Sequence, residues 1–192
     1  MDLLVNNAGA GKQGLTTENC EVEDLEWIMR LNLTSAFILT KYLLPALKNG
    51  IKNRRHSDYD SSIINIGSVA GTQVFPTFTP YCMAKSAMDH MTKLNSLEFA
   101  KFGIRVNCIA PATVITNWHK NSGMTDKEAV QYYERSHAVH PIGRAGTVKD
   151  IEHMIMFLAN GSKSGWITGQ VITMDGGRSN SSVLPVQKKS KM

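Results

Sequence analysis

With 192 residues, of which 42% are apolar and 19% charged, the chain has material for one domain with a sizeable core and the balance of an ordinary globular protein. Its +5 charge argues against a nucleic-acid partner once located, because Arg178, Lys188, Lys189 and Lys191 follow the last acid and leave only +1 on residues 1–177. Apolar runs break well short of the roughly 18–20 residues that span a bilayer, so no membrane partner is expected.

Leu3 to Asn7 reads as a short apolar strand leading to Gly9, where backbone can approach a ligand closely. Residues 22–48 follow as one long helix, with Trp27, Ile28, Leu31, Ala36, Phe37, Leu39, Leu43 and Leu44 at spacings of three and four. Lys48 to Ser62, carrying Arg54, Arg55 and His56, reads as a solvated insertion. A strand at 63–66 ends at Ser68, and a helix at 81–102 has Pro80 in its first turn. Arg105 to Ala110 is the next strand, 112–146 a variable stretch, 148–160 a helix, and Ile167 to Met174 the last strand. Alternating strands and helices predict an α/β fold with a parallel sheet and crossovers.

The N-terminus shows no basic region or cleavage pattern, and Cys20, Cys82 and Cys108 are scattered and odd in number, which points to reduced thiols and a cytoplasmic compartment. A serine- and lysine-rich tail from about 179 predicts disorder, leaving residues 1–178 as the domain. The tail ends Ser190-Lys191-Met192, a conservative variant of the Ser-Lys-Leu address, so peroxisomal import is the alternative location.

Tyr81 and Lys85 lie four apart and share one helix face. An ammonium beside a phenol lowers the phenol's pKa and suits it to acid/base work. The pair taken alone also fits an amphipathic helix with a solvated lysine. Ser68, thirteen residues upstream at a strand end, shifts the balance, although Gly67-Ser68 followed by Ala70-Gly71 could be an ordinary turn. No Gly-x-Ser-x-Gly elbow supports a serine hydrolase, and the histidines lack the cysteine partners or His-Glu-x-x-His spacing of a metal site.

With Asn6-Asn7-Ala8-Gly9 upstream and Asn107-Cys108-Ile109-Ala110-Pro111 downstream, this ordered set resembles the short-chain dehydrogenase/reductase family from residue 2 to about 178. The resemblance implies the C-terminal part of a Rossmann-like doubly wound parallel sheet, with the N-terminal strands and glycine-rich loop missing. It also implies an NAD- or NADP-dependent oxidoreductase interconverting a carbonyl and an alcohol by hydride transfer, on a 3-oxoacyl, carbonyl or sugar substrate. The nicotinamide is not legible, because the segment that would choose between NAD and NADP falls outside the resemblance.

By the same resemblance, Tyr81 is the acid/base, Ser68 holds the substrate oxygen, Lys85 lowers the tyrosine pKa and grips the nicotinamide ribose, and Asn32 supports a water relay to the lysine. Asn6, Ala8 and Gly9 are expected on the adenine-side ribose. Pro111, Ala112, Val114 and Thr116 are expected on the carboxamide and pyrophosphate, with Ala112 standing where the family has glycine. Gln73 to Thr79 and 117–140, with Trp118, Tyr132 and Tyr133, would wall the substrate pocket or simply pack a lid. A homotetramer of the full-length form is implied. The alternative is a noncatalytic truncated isoform or gene-model fragment that at most associates with full-length subunits.

Overall fold

The computed structural model describes residues 1–52 and 61–181. Four parallel strands, β1 (Leu3–Asn6), β2 (Ser61–Ile66), β3 (Ile104–Pro111) and β4 (Val171–Met174), lie side by side in chain order. Ile63 pairs with Val106, Ile64 with Asn107 and Ile66 with Ile109. Every residue of β2 but Ile66 is buried, as befits a parallel sheet covered on both faces.

One face carries α1 (Val22–Met29), α2 (Ser35–Lys52) and α3 (Thr79–Ala100), with Leu4, Leu47, Ile63, Phe99, Ile104 and Val106 between sheet and helices. The other carries α6 (Val148–Ala159), whose Leu158 meets Ile64 and Ile109. This is the expected Rossmann-like arrangement. β1 forms one edge of the sheet, with Leu3 and Val5 half-buried.

The helix expected over 22–48 is two helices joined by a π-helical turn at Arg30–Thr34. Its centre, Asn32, is buried, and its Nδ2 donates to the Ile28 carbonyl (2.9 Å) and to the Ala10 carbonyl (2.7 Å). A side chain inserted into the i→i−4 ladder widens the turn, a device that recurs at functional sites. The last strand is shorter than expected. Gly169 has φ +72°, and the segment before it is tied to β3 through Asn107, whose Nδ2 donates to the Ile167 carbonyl at 2.8 Å and whose Oδ1 accepts from the Gln170 amide at 3.1 Å.

The variable stretch contains α4 (Trp118–Asn121) and α5 (Asp126–Val139). Thr125 with Glu128 caps α5 and Thr147 with Asp150 caps α6, each a reciprocal capping box. The insertion expected over 48–62 is shorter, since α2 continues to Lys52 and Ser61 and Ser62 are buried in β2; residues 53–60 and the Ser190-Lys191-Met192 terminus lie outside the described residues. No helix among the described residues is long and apolar enough to cross a membrane.

Candidate active site

The carboxyl ends of β1, β2 and β3 open into one cavity of about 440 Å³, lined in part by Gly9, Ser68, Tyr81, Lys85 and the run Pro111 to Val114 with Thr116. Ligands of open parallel sheets bind at this end, because the strand-to-helix loops converge there. Ser68 leaves β2 in extended conformation, and its Oγ accepts from the Ala70 amide at 3.1 Å, which fixes the turn that follows. Tyr81 sits in the first turn of α3, with Pro80 pre-set for helix entry. Lys85, one turn later, is 3% exposed.

Its ammonium donates to the Ile66 carbonyl at 2.9 Å and lies 5.5 Å from the Tyr81 ring centroid. Desolvation by burial brings Lys85 down to about 8, against smaller upward pulls from Cys108 and Asp89. Burial likewise pushes the Tyr81 phenol up to about 12, while the Ser68 hydroxyl pulls it down. The expected lowering of Tyr81 by Lys85 is therefore not what this geometry produces. The phenol is more desolvated than it is charge-stabilised, and the lysine is directed onto a main-chain oxygen.

Two glycines let backbone reach these groups. A Cβ on Gly9 would stand 2.7 Å from Asn32 Oδ1 and 3.3 Å from Lys85 Nζ. On Gly11 it would stand 3.1 Å from the Trp118 ring and 3.4 Å from that of Tyr81. Gly9, Gly11 and Gly14 also have the spacing of a dinucleotide fingerprint. That fingerprint requires a helix to open at the third glycine, whereas α1 starts at Val22, so the run is not a phosphate cradle; Gly9 and Gly11 serve close packing, while Gly14 takes a φ of +90° in open space.

Asn32 Oδ1 is buried with no hydrogen-bond partner among the described residues. A buried carbonyl oxygen left without a donor is costly, and here it lies next to the lysine. Gly9, expected on the adenine-side ribose, lies instead beside Lys85 and Asn32, and with the unpartnered Asn32 oxygen and the 111–116 wall it fits the nicotinamide side of a dinucleotide.

Asn6 and Ala8, expected at the cofactor, do not line the cavity. Asn6 turns into the core, where its Nδ2 donates to Asn65 Oδ1 (2.8 Å) and Thr40 Oγ1 (3.2 Å). Asn65 continues to Thr92 Oγ1 at 2.9 Å. Ala8 is exposed. Their neighbours Asn7 and Gln13 line the cavity instead. Of the expected substrate wall, Phe75, Phe78, Trp118 and Tyr132 are in place. Trp118 packs 5.5 Å from the Tyr81 ring and stacks on Phe78 at 6.3 Å. Tyr133 donates to the Thr116 carbonyl at 2.6 Å and so braces the wall from behind.

Residues 1–179 match the family model described as enoyl-(acyl carrier protein) reductase. A short-chain dehydrogenase/reductase of unknown function from Caenorhabditis elegans, solved with cofactor, superposes with a TM-score of 0.86 at 34% identity, over 95% of this chain and 67% of that one. The chain belongs to the short-chain dehydrogenase/reductase family. Within the family it is 35% identical over 177 residues to the 3-oxoacyl-(acyl-carrier-protein) reductase of Thermotoga maritima, covering 92% of this chain and 65% of the relative. A gluconate 5-dehydrogenase from Burkholderia cenocepacia, solved with NADP and tartrate, matches with a TM-score of 0.80 at 28% identity, over 94% of this chain and 66% of that one. That dehydrogenase and a further neighbour, ElxO, which matches with a TM-score of 0.79 at 29% identity over 94% of this chain and 68% of that one, were both solved with NADP. The chain spans 62% to 71% of the length of the curated relatives it matches.

Three site features escaped the sequence. Asp89 is buried one turn beyond Lys85 on α3, and its Oδ1 accepts from the Cys108 thiol at 3.4 Å. A Cβ on Gly67 would lie 3.1 Å from the same carboxylate, and one on Gly71 would overlap it. The glycines on either side of Ser68 thus leave room for the Asp89 carboxylate, whose Oδ2 has no hydrogen-bond partner among the described residues. Arg178 lines the cavity from beyond β4. Of these, only Asp89 left a signal, the i, i+4 spacing from Lys85.

Proposed function

We propose that the chain carries the catalytic machinery of an NAD(P)-dependent oxidoreductase that interconverts a carbonyl and an alcohol, with Tyr81 as acid/base. The observation that carries this reading is the convergence of Ser68, Tyr81 and Lys85, from two separate elements, on one cavity at the carboxyl end of the sheet. When bound, the dinucleotide supplies or takes up the hydride. Gly9, Lys85, Pro111, Ala112, Val114 and Thr116 would hold its nicotinamide side.

Burial keeps the Tyr81 phenol protonated at neutral pH, ready to donate to an oxygen that gains negative charge. Ser68 hydrogen-bonds the same oxygen. Near pH 7 Lys85 is mostly an ammonium. One of its N–H groups is engaged by Ile66, and the others remain for a ribose hydroxyl and for a water shared with the unpartnered Asn32 oxygen. Protons lost by Tyr81 are replaced along that route.

The aromatic lining of Phe75, Phe78, Trp118 and Tyr132 favours a carbonyl substrate with apolar surface, of the 3-oxoacyl, carbonyl or sugar reductase kind. Tyr42 on α2 and Leu97 on α3 are exposed apolar side chains on the helices of one side of the sheet, and Met156 on α6 and Trp166 after it are exposed on the other. Copies of the chain covering both give a homo-oligomer, a tetramer where both are used. The compartment is cytoplasmic, or peroxisomal if the Ser190-Lys191-Met192 terminus is read. A fluorescent reporter fused to residues 181–192 decides between them by its distribution.

The test is NAD(H) and NADP(H) binding to residues 1–192 by calorimetry, with ketones and alcohols assayed alongside in wild type and Tyr81→Phe. Turnover should fall about 10²- to 10⁴-fold in Tyr81→Phe. Equal turnover in both would remove Tyr81 from its role. A second reading, a noncatalytic form that associates with longer subunits, draws on the outer edge of β1, along which no strand pairs among the described residues. Binding to a full-length relative without dinucleotide binding would favour it.

A further inference from the structure

Arg178 opens the 3-10 turn Arg178–Asn180 after β4 and reaches back to the cavity that holds Tyr81. Its guanidinium carbon lies 5.2 Å from the Phe75 ring centroid, so the cation stacks on the wall beside Ser68. The turn is pinned there from two sides. Gln73 Nε2 donates to Ser179 Oγ at 2.6 Å, and the Ser179 amide donates to Asp175 Oδ2 at 2.6 Å.

Asp175 is the acid nearest in sequence, and its carboxylate is already engaged. Oδ1 accepts from the Gly177 amide at 2.9 Å while Oδ2 takes the Ser179 amide. The ion pairs Lys12–Asp24 and Arg144–Asp150 do not involve Arg178. Among the described residues, then, the Arg178 side chain carries a charge that no carboxylate offsets, in the wall of a cavity that also holds Phe75, Phe78 and Trp118. Of the lining residues, only Lys85 is also cationic, and it is directed onto Ile66.

We propose that Arg178 selects substrates carrying a carboxylate at the end remote from the reacting carbonyl or hydroxyl. This rests on the carbonyl/alcohol reading of the cavity. A planar guanidinium matches the two oxygens of a carboxylate with paired, charge-assisted hydrogen bonds. A phosphate would meet the same cation, and the dinucleotide affinity of the Arg178 variants separates the two. Phe75 packs against the guanidinium, and Gln73 and Asp175 hold the turn, so little ordering is left to the moment of binding.

The experiment compares 4-oxopentanoate, 5-oxohexanoate and 6-oxoheptanoate with their methyl esters. Binding is read by quenching of Trp118 fluorescence in the Trp27→Phe, Trp166→Phe background, and NAD(P)H oxidation is followed in parallel. At least one acid should bind about tenfold or more tighter than its ester. That preference should vanish in Arg178→Ala and Arg178→Met and return in part in Arg178→Lys. The apparent affinity for the dinucleotide should not change, which separates a substrate carboxylate from a cofactor phosphate as the anion read.

Equal binding of acids and esters, no binding of any acid at millimolar concentration, or a preference that survives Arg178→Ala would overturn the inference. Arg178-dependent acid binding without NAD(P)H oxidation would sink the reductase reading and leave the anion site standing. Equal turnover of acids and esters would do the reverse.

Discussion

Lys85 holds a charge in a place that penalises it, and the penalty is measurable as a dependence of stability on pH. Burial moves its pKa from 10.5 to about 8, so between those values the unfolded chain binds a proton that the folded chain has released. Stability therefore rises with pH across that window, and the penalty is complete below pH 8. From pH 7 to pH 9.5 the shift yields roughly 2 kcal/mol of added stability from this one group.

Two groups work in the opposite sense, since burial raises both Tyr81 and Cys108 to about 12. The tyrosine acts only above about pH 10, its ordinary value. The thiol acts from about pH 9, its ordinary value, but it is present in wild type and variant alike. The comparison is thus urea unfolding of wild type and Lys85→Met at both pH values. The variant gives up the bond to Ile66, yet it should lack the pH-dependent gain, so that the difference between the two proteins changes by roughly 2 kcal/mol over the interval. Parallel curves would mean that Lys85 keeps its solution pKa, and the desolvation account of the site would fail.

Gly9→Ala would push a methyl against Asn32 Oδ1 and Lys85 Nζ. Turnover should fall about 100-fold with the far-ultraviolet circular dichroism unchanged, and a fully active variant would show that the lysine has room to move. Gly71→Ala collides with the Asp89 carboxylate and should cost roughly 2–3 kcal/mol in urea unfolding. Adding Asp89→Ala should recover part of that cost, whereas strictly additive effects would refute the close contact between Gly71 and Asp89. Leu97→Lys on α3, at a position 79% exposed, should lower the mass seen in sedimentation velocity, and a wild type that already sediments as a monomer would remove the proposed interface.

Much of the site was legible because its chemistry is local. Tyr81 and Lys85 share a helix face by spacing alone, and Pro80 announces the helix that carries them. Ser68 was legible as the end of an apolar run. Asn6 was not, since a polar residue at a strand end can face a ligand or the interior. Here the interior wins, because Thr40 and Asn65 offer it partners. The break in the long helix was equally hidden, for the apolar pattern runs through it and the Ala10 carbonyl that helps turn Asn32 inward lies twenty-two residues upstream.

Taken by itself, the sequence determined the alternation of strands and helices and the spacing of the phenol and amine, because both follow from periodicities set by covalent geometry. The tertiary structure alone decided the protonation states and the reach of Arg178. Desolvation depends on what surrounds a group in space, and Arg178 meets Phe75, 103 residues away in the chain, only when β4 and its turn fold back beside the Ser68 loop.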